Sequence, residues 1–209
     1  YWIHTNMLTL NGKKMSKSIG NSVFPDEIFD GRNKIFSKKF NPMTLKFFMY
    51  QAHYRNTLDI SNDALIAAEK GFEKIIKLKN DINGLVESDE SDFKADEWVN
   101  QCYDALNDDF NSPRLIAKLF DLYKIVQDIK IRNKHINSKN LKILKKFFPI
   151  FYSEILGLDD NTSSNVKYDA ILNLILELRE KERLNKNYKT SDYIRDQLQE
   201  FGVNINDKK

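Results

Sequence analysis

The sequence predicts a mainly α-helical protein with a small β element at its start. Long stretches carry apolar residues three and four apart, several of them opened by a capping side chain or a proline, whereas strand-like alternation occurs only in Met7-Leu8-Thr9-Leu10. Of the 209 residues, 41% are apolar and 30% charged, enough for a sizeable core beneath much solvated helix surface. Nothing approaches the roughly 18 apolar residues needed to span a bilayer. The opening Tyr1-Trp2-Ile3-His4 has neither an initiator Met nor a signal-peptide pattern. These features lead to the expectation of a cytoplasmic chain, without membrane contact, whose beginning is missing.

The alternating run is followed by a sharp turn at Asn11-Gly12 and by Lys14-Met15-Ser16-Lys17-Ser18. Two ammonium groups three residues apart, with hydroxyls between and beside them, can clamp a polyphosphate. With Gly20-Asn21 beyond it, the loop reads as anchored at its first end and free to swing at its second, in the manner of a catalytic lid. A solvated Lys-Ser loop explains the same five residues, so the loop alone does not decide.

Pro25 opens a helix expected to run through Ile28, Phe29, Ile35 and Phe36, and Asn41-Pro42 starts another whose segment Leu45–Tyr54 should be largely buried. Ser61-Asn62 caps a long amphipathic helix carrying Leu65, Ile66, Phe72, Ile75, Ile76 and Leu78, ending near Asn83-Gly84. The acidic stretch Glu87–Asp92 reads as a loop. Helices over about 92–107, 112–132 and 138–156, the last perturbed near Pro149, complete an antiparallel bundle. A polar linker, Asp159–Asn165, precedes a helical pair: Tyr168–Asn187, with Ile171, Leu174, Ile175 and Leu178 on one face, and Ser191–Phe201, stopped at Gly202. The predicted divisions are 1–60, 61–158 and an incomplete module over 166–209.

The single cysteine, Cys102, lies in a helical run and reads as a small buried apolar side chain. His4, His53 and His135 are scattered, so no metal is assigned to this chain. Asp108-Asp109 looks like a catalytic pair, yet it precedes Asn111-Ser112-Pro113, and capping or loop structure is preferred. Net charge is only +3, but Lys130, Arg132, Lys134, Lys139, Lys142, Lys145 and Lys146 cluster. That cluster reads as a solvated face or as a polyanion footprint.

Taken as a string, Trp2-Ile3-His4 with Asn11-Gly12-Lys13-Lys14-Met15-Ser16-Lys17-Ser18-Ile19-Gly20-Asn21 resembles the KMSKS signature of class I aminoacyl-tRNA synthetases. Phe47–Arg55, Leu106–Pro113 and Ser191–Leu198 followed by Gly202-Val203 are similar, in that order, to cysteinyl-tRNA synthetases, and the resemblance covers essentially the whole chain. One departure is Asn6, where the family often has glycine.

The resemblance implies ligation of L-cysteine to tRNA(Cys) through cysteinyl adenylate, using ATP with Mg2+, by an enzyme that usually works as a monomer. It places the nucleotide-binding fold and a Zn2+ site upstream of this chain, so the isolated chain is expected not to aminoacylate. By resemblance Lys17 contacts ATP, with Lys14 assisting and Ser16 and Ser18 donating to phosphate oxygens or bracing the turn. A stem-contact region follows the loop, with Arg55 beside it, and the bundle and final pair meet the anticodon side, making Lys142, Lys145, Lys146 and Arg195 candidate tRNA contacts. Exposed aromatics such as Tyr152, Tyr188 or Tyr193 could stack bases, although their helical spacing with other apolar groups favours a core role for each. Two other functions fit in part: the related ligase joining activated cysteine to an amino sugar in mycothiol synthesis, and a non-catalytic helical tRNA-binding module.

Overall fold

The computed structural model describes residues 1–16, 18, 20–159, 161–185 and 187–200, with the side chains of 161–170 and 200 outside that description. Lys17, Phe201 and the Gly202 stop, all singled out in the sequence, therefore lie outside the described residues. The chain divides into two compact units, Tyr1–Asp159 and Asp160–Lys209.

The first unit opens with a hairpin. Strand β1 (Leu8–Leu10) pairs antiparallel with β2 (Lys13–Lys14), placing Thr9 opposite Lys14. Asn11 and Gly12 join them with φ of 50° and 73°, the paired left-handed conformations that a two-residue hairpin turn of this hand requires. A third strand, β3 (Leu58–Ile60), lies parallel to β1 on its other side, giving the order β2-β1-β3. Leu10 and Ile60 are buried, whereas Thr9, Asp59 and Lys14 share a register row on the opposite face.

Helix α1 (Pro25–Asp30) is shorter than the sequence suggests. Gly31 at φ 78° ends it in a left-handed cap, and Glu27 accepts from the Asn33 side chain, so Ile35 and Phe36 belong to the following turns. Helix α2 (Pro42–Tyr50) starts as predicted, the Asn41 side chain accepting from the Met43 N–H at 2.8 Å. Leu45, Phe47 and Phe48 are buried, but Met49 is exposed, and His53, Tyr54 and Arg55 lie in a turn beyond the helix end.

Ser61 accepts from the Ala64 N–H to begin α3 (Asn62–Asn83), whose buried Leu65, Ala68, Phe72, Ile75, Leu78 and Ile82 form the predicted stripe. It packs on α2 and on α5 (Ser112–Lys130), which also packs on α4 (Ala95–Asn107). Helix α6 (Ser138–Pro149) closes the bundle. At Pro149 the backbone widens into a π-helical stretch, Ile150–Ile155, which follows from proline's missing N–H and its clash with the preceding turn. Phe47 sits at the centre, its ring 5.4 Å from Phe72 and 6.2 Å from Phe120. Tyr152 is buried in the core, as is Cys102, whose thiol is pushed up to about 12 by burial.

The second unit contains α7 (Asn161–Leu184) and α8 (Tyr188–Glu200), packed on each other. Residues 161–165, expected as linker, are helical, because Asn, Thr and Ser disfavour helix interiors yet are favoured at helix starts. The predicted apolar face of α7 is not a core face: Ile171, Leu174 and Leu178 are exposed. No helix among the described residues is long and apolar enough to cross a membrane.

Candidate active-site loop and nucleic-acid interface

The cationic loop emerges from β2, and its position is set by three tethers. At the hairpin end, Asp59 Oδ1 accepts from the Thr9 hydroxyl at 2.6 Å and from the Gly12 N–H at 2.7 Å. These bonds, Thr9 foremost, hold the Asp59 carboxyl below the usual carboxylate range. In the middle, Met15 packs against the core beside Leu8, Val23, Ile28 and Phe48. At the far end, Asn21 Oδ1 accepts from the Ser16 N–H at 2.8 Å while Asn21 Nδ2 donates to the Lys14 carbonyl at 3.0 Å. The second end, expected to swing, is thus clasped: one side chain spans the loop by satisfying a donor and an acceptor that would otherwise face water.

Between these tethers Lys14 and Ser18 are exposed, and Ser16 is half-buried. The Ser16 and Ser18 hydroxyls lie 2.6 Å apart, so one proton is shared between them and the other remains available to donate outward. The exposed Lys14 thus leads into a loop whose two hydroxyls are adjacent; Lys17 lies outside the described residues.

Asp108 and Asp109 separate in role. Asp108 accepts from Asn111 and pairs with Arg114 at 3.2 Å, while Asn111 caps α5, which is the structural use preferred from the sequence. Asp109 has a role with no local signal in the sequence. Its carboxylate accepts from the Tyr54 hydroxyl and from Arg55 Nε, each at 2.6 Å, and its backbone carbonyl lies 3.1 Å from His53 Nε2. Tyr54 first, then Arg55, holds the Asp109 carboxyl below its ordinary value. Both Asp109 and Phe110 are left-handed, at φ 54° and 52°. On the other side of this corner Asn6 donates its backbone N–H to the Tyr54 carbonyl and its side-chain amide to the Arg55 carbonyl, at 2.9 and 2.8 Å. A cleft of about 300 Å3 lined by Trp2, His4, Tyr54, Arg55 and Phe110 adjoins the corner.

Among the other predicted cations, Lys142, Lys145 and Lys146 are exposed on α6, and Lys142 and Lys145 face no carboxylate among the described residues. Lys146 lies over the Phe147 ring. Arg55 is committed to Asp109, and Arg195 pairs with Asp192 and Asp196. Tyr188 and Tyr193 are exposed. Among the described residues no three His, Cys, Asp or Glu side chains gather as a metal site.

Residues 1–70 match the family of tRNA synthetases class I (C), catalytic domain, and residues 101–158 match the DALR domain. All of this chain aligns with proteins named cysteine–tRNA ligase. It is 39% identical over 213 residues to that of Bacteroides fragilis, of which it covers 43%, and 39% identical over 213 residues to that of Porphyromonas gingivalis, of which it covers 44%. Identity to the Bacteroides thetaiotaomicron protein is 39% over 215 residues, covering 44% of it. The chain thus spans less than half the length of the curated relatives it matches.

Proposed function

We propose that the chain is part of a cysteine–tRNA ligase, to which it is similar along its whole length, and that it supplies the phosphate-binding loop and the tRNA-binding helices of an enzyme joining L-cysteine to tRNA(Cys). The observation that carries this reading is the loop itself: Lys14, Ser16 and Ser18 held out from three fixed tethers, in a chain matched from end to end.

In the first step the cysteine carboxylate attacks the α-phosphorus of ATP, an oxygen–phosphorus bond forms, and pyrophosphate leaves. Negative charge grows on the departing oxygens. The Lys14 ammonium and the unshared serine proton act there, where charge develops and not where it already rests, and Lys17 is assigned the same task from its place in the motif. ATP enters as its Mg2+ complex. In the second step the terminal ribose hydroxyl of the tRNA attacks the cysteinyl carbonyl and AMP departs. Zinc is the complete enzyme's by family resemblance, with ligands upstream of this chain, and the described residues offer it no ligand set.

The divisions 1–60, 61–158 and 166–209 correspond in this reading to loop and stem contact, anticodon-side bundle and terminal module, in a monomeric cytoplasmic enzyme. The lysines of α6 are its best tRNA contacts, since no carboxylate must be displaced to free Lys142 and Lys145. Arg55 and Arg195 would have to exchange a carboxylate for a phosphate.

Cysteine-dependent ATP–pyrophosphate exchange by the full-length gene product tests the reading. Lys14→Ala should slow exchange by on the order of 10²–10³-fold, the usual cost of losing one such donor. Exchange at the unaltered rate, or none by the unaltered protein with cysteine, overturns it.

A further inference from the structure

The chain holds two Asn-Gly steps, Asn11-Gly12 and Asn83-Gly84, and all four residues are exposed. Glycine has no Cβ to shield its backbone nitrogen, so that nitrogen reaches the preceding asparagine side chain more easily than in other pairs. The glycine nitrogen gives up its proton and attacks Cγ; a nitrogen–carbon bond forms, the Cγ–Nδ2 bond breaks, and ammonia leaves with the proton. Water, the only co-reactant, then opens the ring. Cleavage between nitrogen and Cγ gives aspartate, whereas cleavage at the backbone carbonyl gives isoaspartate, its main chain rerouted through Cβ and Cγ.

The two steps differ in what holds the nitrogen. The Gly12 N–H donates to Asp59 Oδ1 at 2.7 Å, the same oxygen that accepts from the Thr9 hydroxyl at 2.6 Å. Attack needs that nitrogen stripped of its proton, and a nitrogen anion facing a carboxylate meets like charge where the N–H had a partner. Asn11 is pinned as well: its own N–H donates to the Ile60 carbonyl at 3.1 Å, and its φ of 50° is fixed by the two strands it joins. The Gly84 N–H instead donates to the Asp81 and Ile82 carbonyls, neutral acceptors at the end of α3.

We propose that Asn11 is a site of spontaneous conversion to aspartate and isoaspartate, that Asp59 restrains the conversion, and that the isoaspartate form disarms the cationic loop. The last of these rests on the phosphate-binding reading above. Asn11 and Gly12 alone join β1 to β2, and they set the register that places Lys14 opposite Thr9. A turn this short has no slack for one extra main-chain atom, so Lys13 and Lys14 shift against β1. Both products also set a new negative charge beside Asp59 and ahead of Lys14, which weakens the turn and offsets the ammonium that phosphate would meet. Asp59 therefore serves two ends: it anchors the hairpin, and it preserves the covalent chain within it.

The test ages the full-length gene product at mildly alkaline pH, maps its peptides for the mass gain from amide to acid, and counts isoaspartate by methyltransferase labelling. Asp59→Asn keeps the shape and removes the charge. It should speed conversion at Asn11 about three- to tenfold, the scale of one net hydrogen bond, while Asn83 in the same samples converts at the unaltered rate. Equal acceleration at both positions would mean a loosened fold, and none at Asn11 an idle carboxylate; either overturns the restraint. ATP–pyrophosphate exchange by the unaltered protein should fall in step with isoaspartate at Asn11. Asn11→Gly, which keeps the left-handed turn but cannot form the ring, should hold its activity through the same ageing. Activity that survives the conversion, or that Asn11→Gly loses as fast, overturns the disarming. If fresh protein shows no cysteine-dependent exchange, the ligase reading falls and the disarming with it, whereas the restraint by Asp59 still stands or falls on the masses.

Discussion

Replacing Asn21 with alanine should loosen the cationic loop without touching the fold beneath it. The substitution removes two hydrogen bonds, the 2.8 Å bond accepted from the half-buried Ser16 N–H and the 3.0 Å bond donated to the exposed Lys14 carbonyl. A neutral hydrogen bond nets about 1 kcal/mol, and the exposed one is worth less because water replaces it readily. The clasp is therefore worth about 1–2 kcal/mol, roughly a 5–30-fold change in how often the loop opens. Limited trypsin digestion reads this directly, as the rate at which products ending at Lys14 appear under conditions where opening and closing outpace cleavage. Asp59 and Met15 still tether the hairpin end and the middle, so the thermal midpoint should not move. Asn21→Asp keeps the acceptor for Ser16 but sets a charge against the Lys14 carbonyl, and should open to an intermediate extent. Cleavage of Asn21→Ala at the unaltered rate would mean that the clasp holds nothing, and that the loop's position comes from its other tethers.

Two further outcomes follow from the same contacts. Asp109→Asn should lower the thermal midpoint at neutral pH; because the folded Asp109 carboxyl sits below its ordinary value, its stabilising share is present above that ordinary value and vanishes as pH falls through the depressed one, so the gap between variant and parent should close on acidification. A gap that persists in strong acid would assign the loss to packing and not to charge. Cys102, with its thiol pushed up to about 12 and its side chain buried, should resist alkylation at pH 8 in the native chain and react only as fast as the bundle unfolds, and rapid labelling in native buffer would contradict its place in the core.

The helices were readable where a local rule acts on local residues. Ser61 caps the helix that begins beside it, the three-four stripe of α3 is core, and Pro149 disturbs the helix that contains it. What escaped the sequence depends on partners far along the chain. Strand β3 is three residues long, too short for an alternation to register, and Asp59 on it acts through Thr9, 50 positions away. Asp109 meets Tyr54 at a separation of 55, and its proximity to Asn111-Ser112-Pro113 pointed to the helix start, where Asn111 is the cap and Asp108 braces it. The end of α1 at Gly31 was signalled, since a glycine after an acidic turn is a common helix stop, but the apolar Ile35 and Phe36 prolonged the apparent period. Asn21 offered a fainter signal: an asparagine just past a glycine is suited to bonding nearby backbone.

The corner at Asp109 explains why a strained turn is kept between α4 and α5. Two consecutive left-handed residues that are not glycine cost on the order of 1–2 kcal/mol each. Glycine at either place would relieve that cost, but glycine at 109 would also remove the carboxylate that holds Tyr54 and Arg55. Those two residues are bonded from the opposite side by Asn6, one residue from Met7, whose carbonyl accepts from the Leu58 N–H as β1 and β3 begin. Asp59, next on β3, fixes the hairpin from which the cationic loop springs. The bundle and the loop are thus joined by hydrogen bonds linked through neighbouring residues, with left-handed non-glycine backbone at both ends, Asn11 in the hairpin and Asp109-Phe110 at the bundle. The backbone conformation there is set by where the carboxylate must point, and the site's geometry, more than the turn's own preference, accounts for an aspartate in a glycine's conformation.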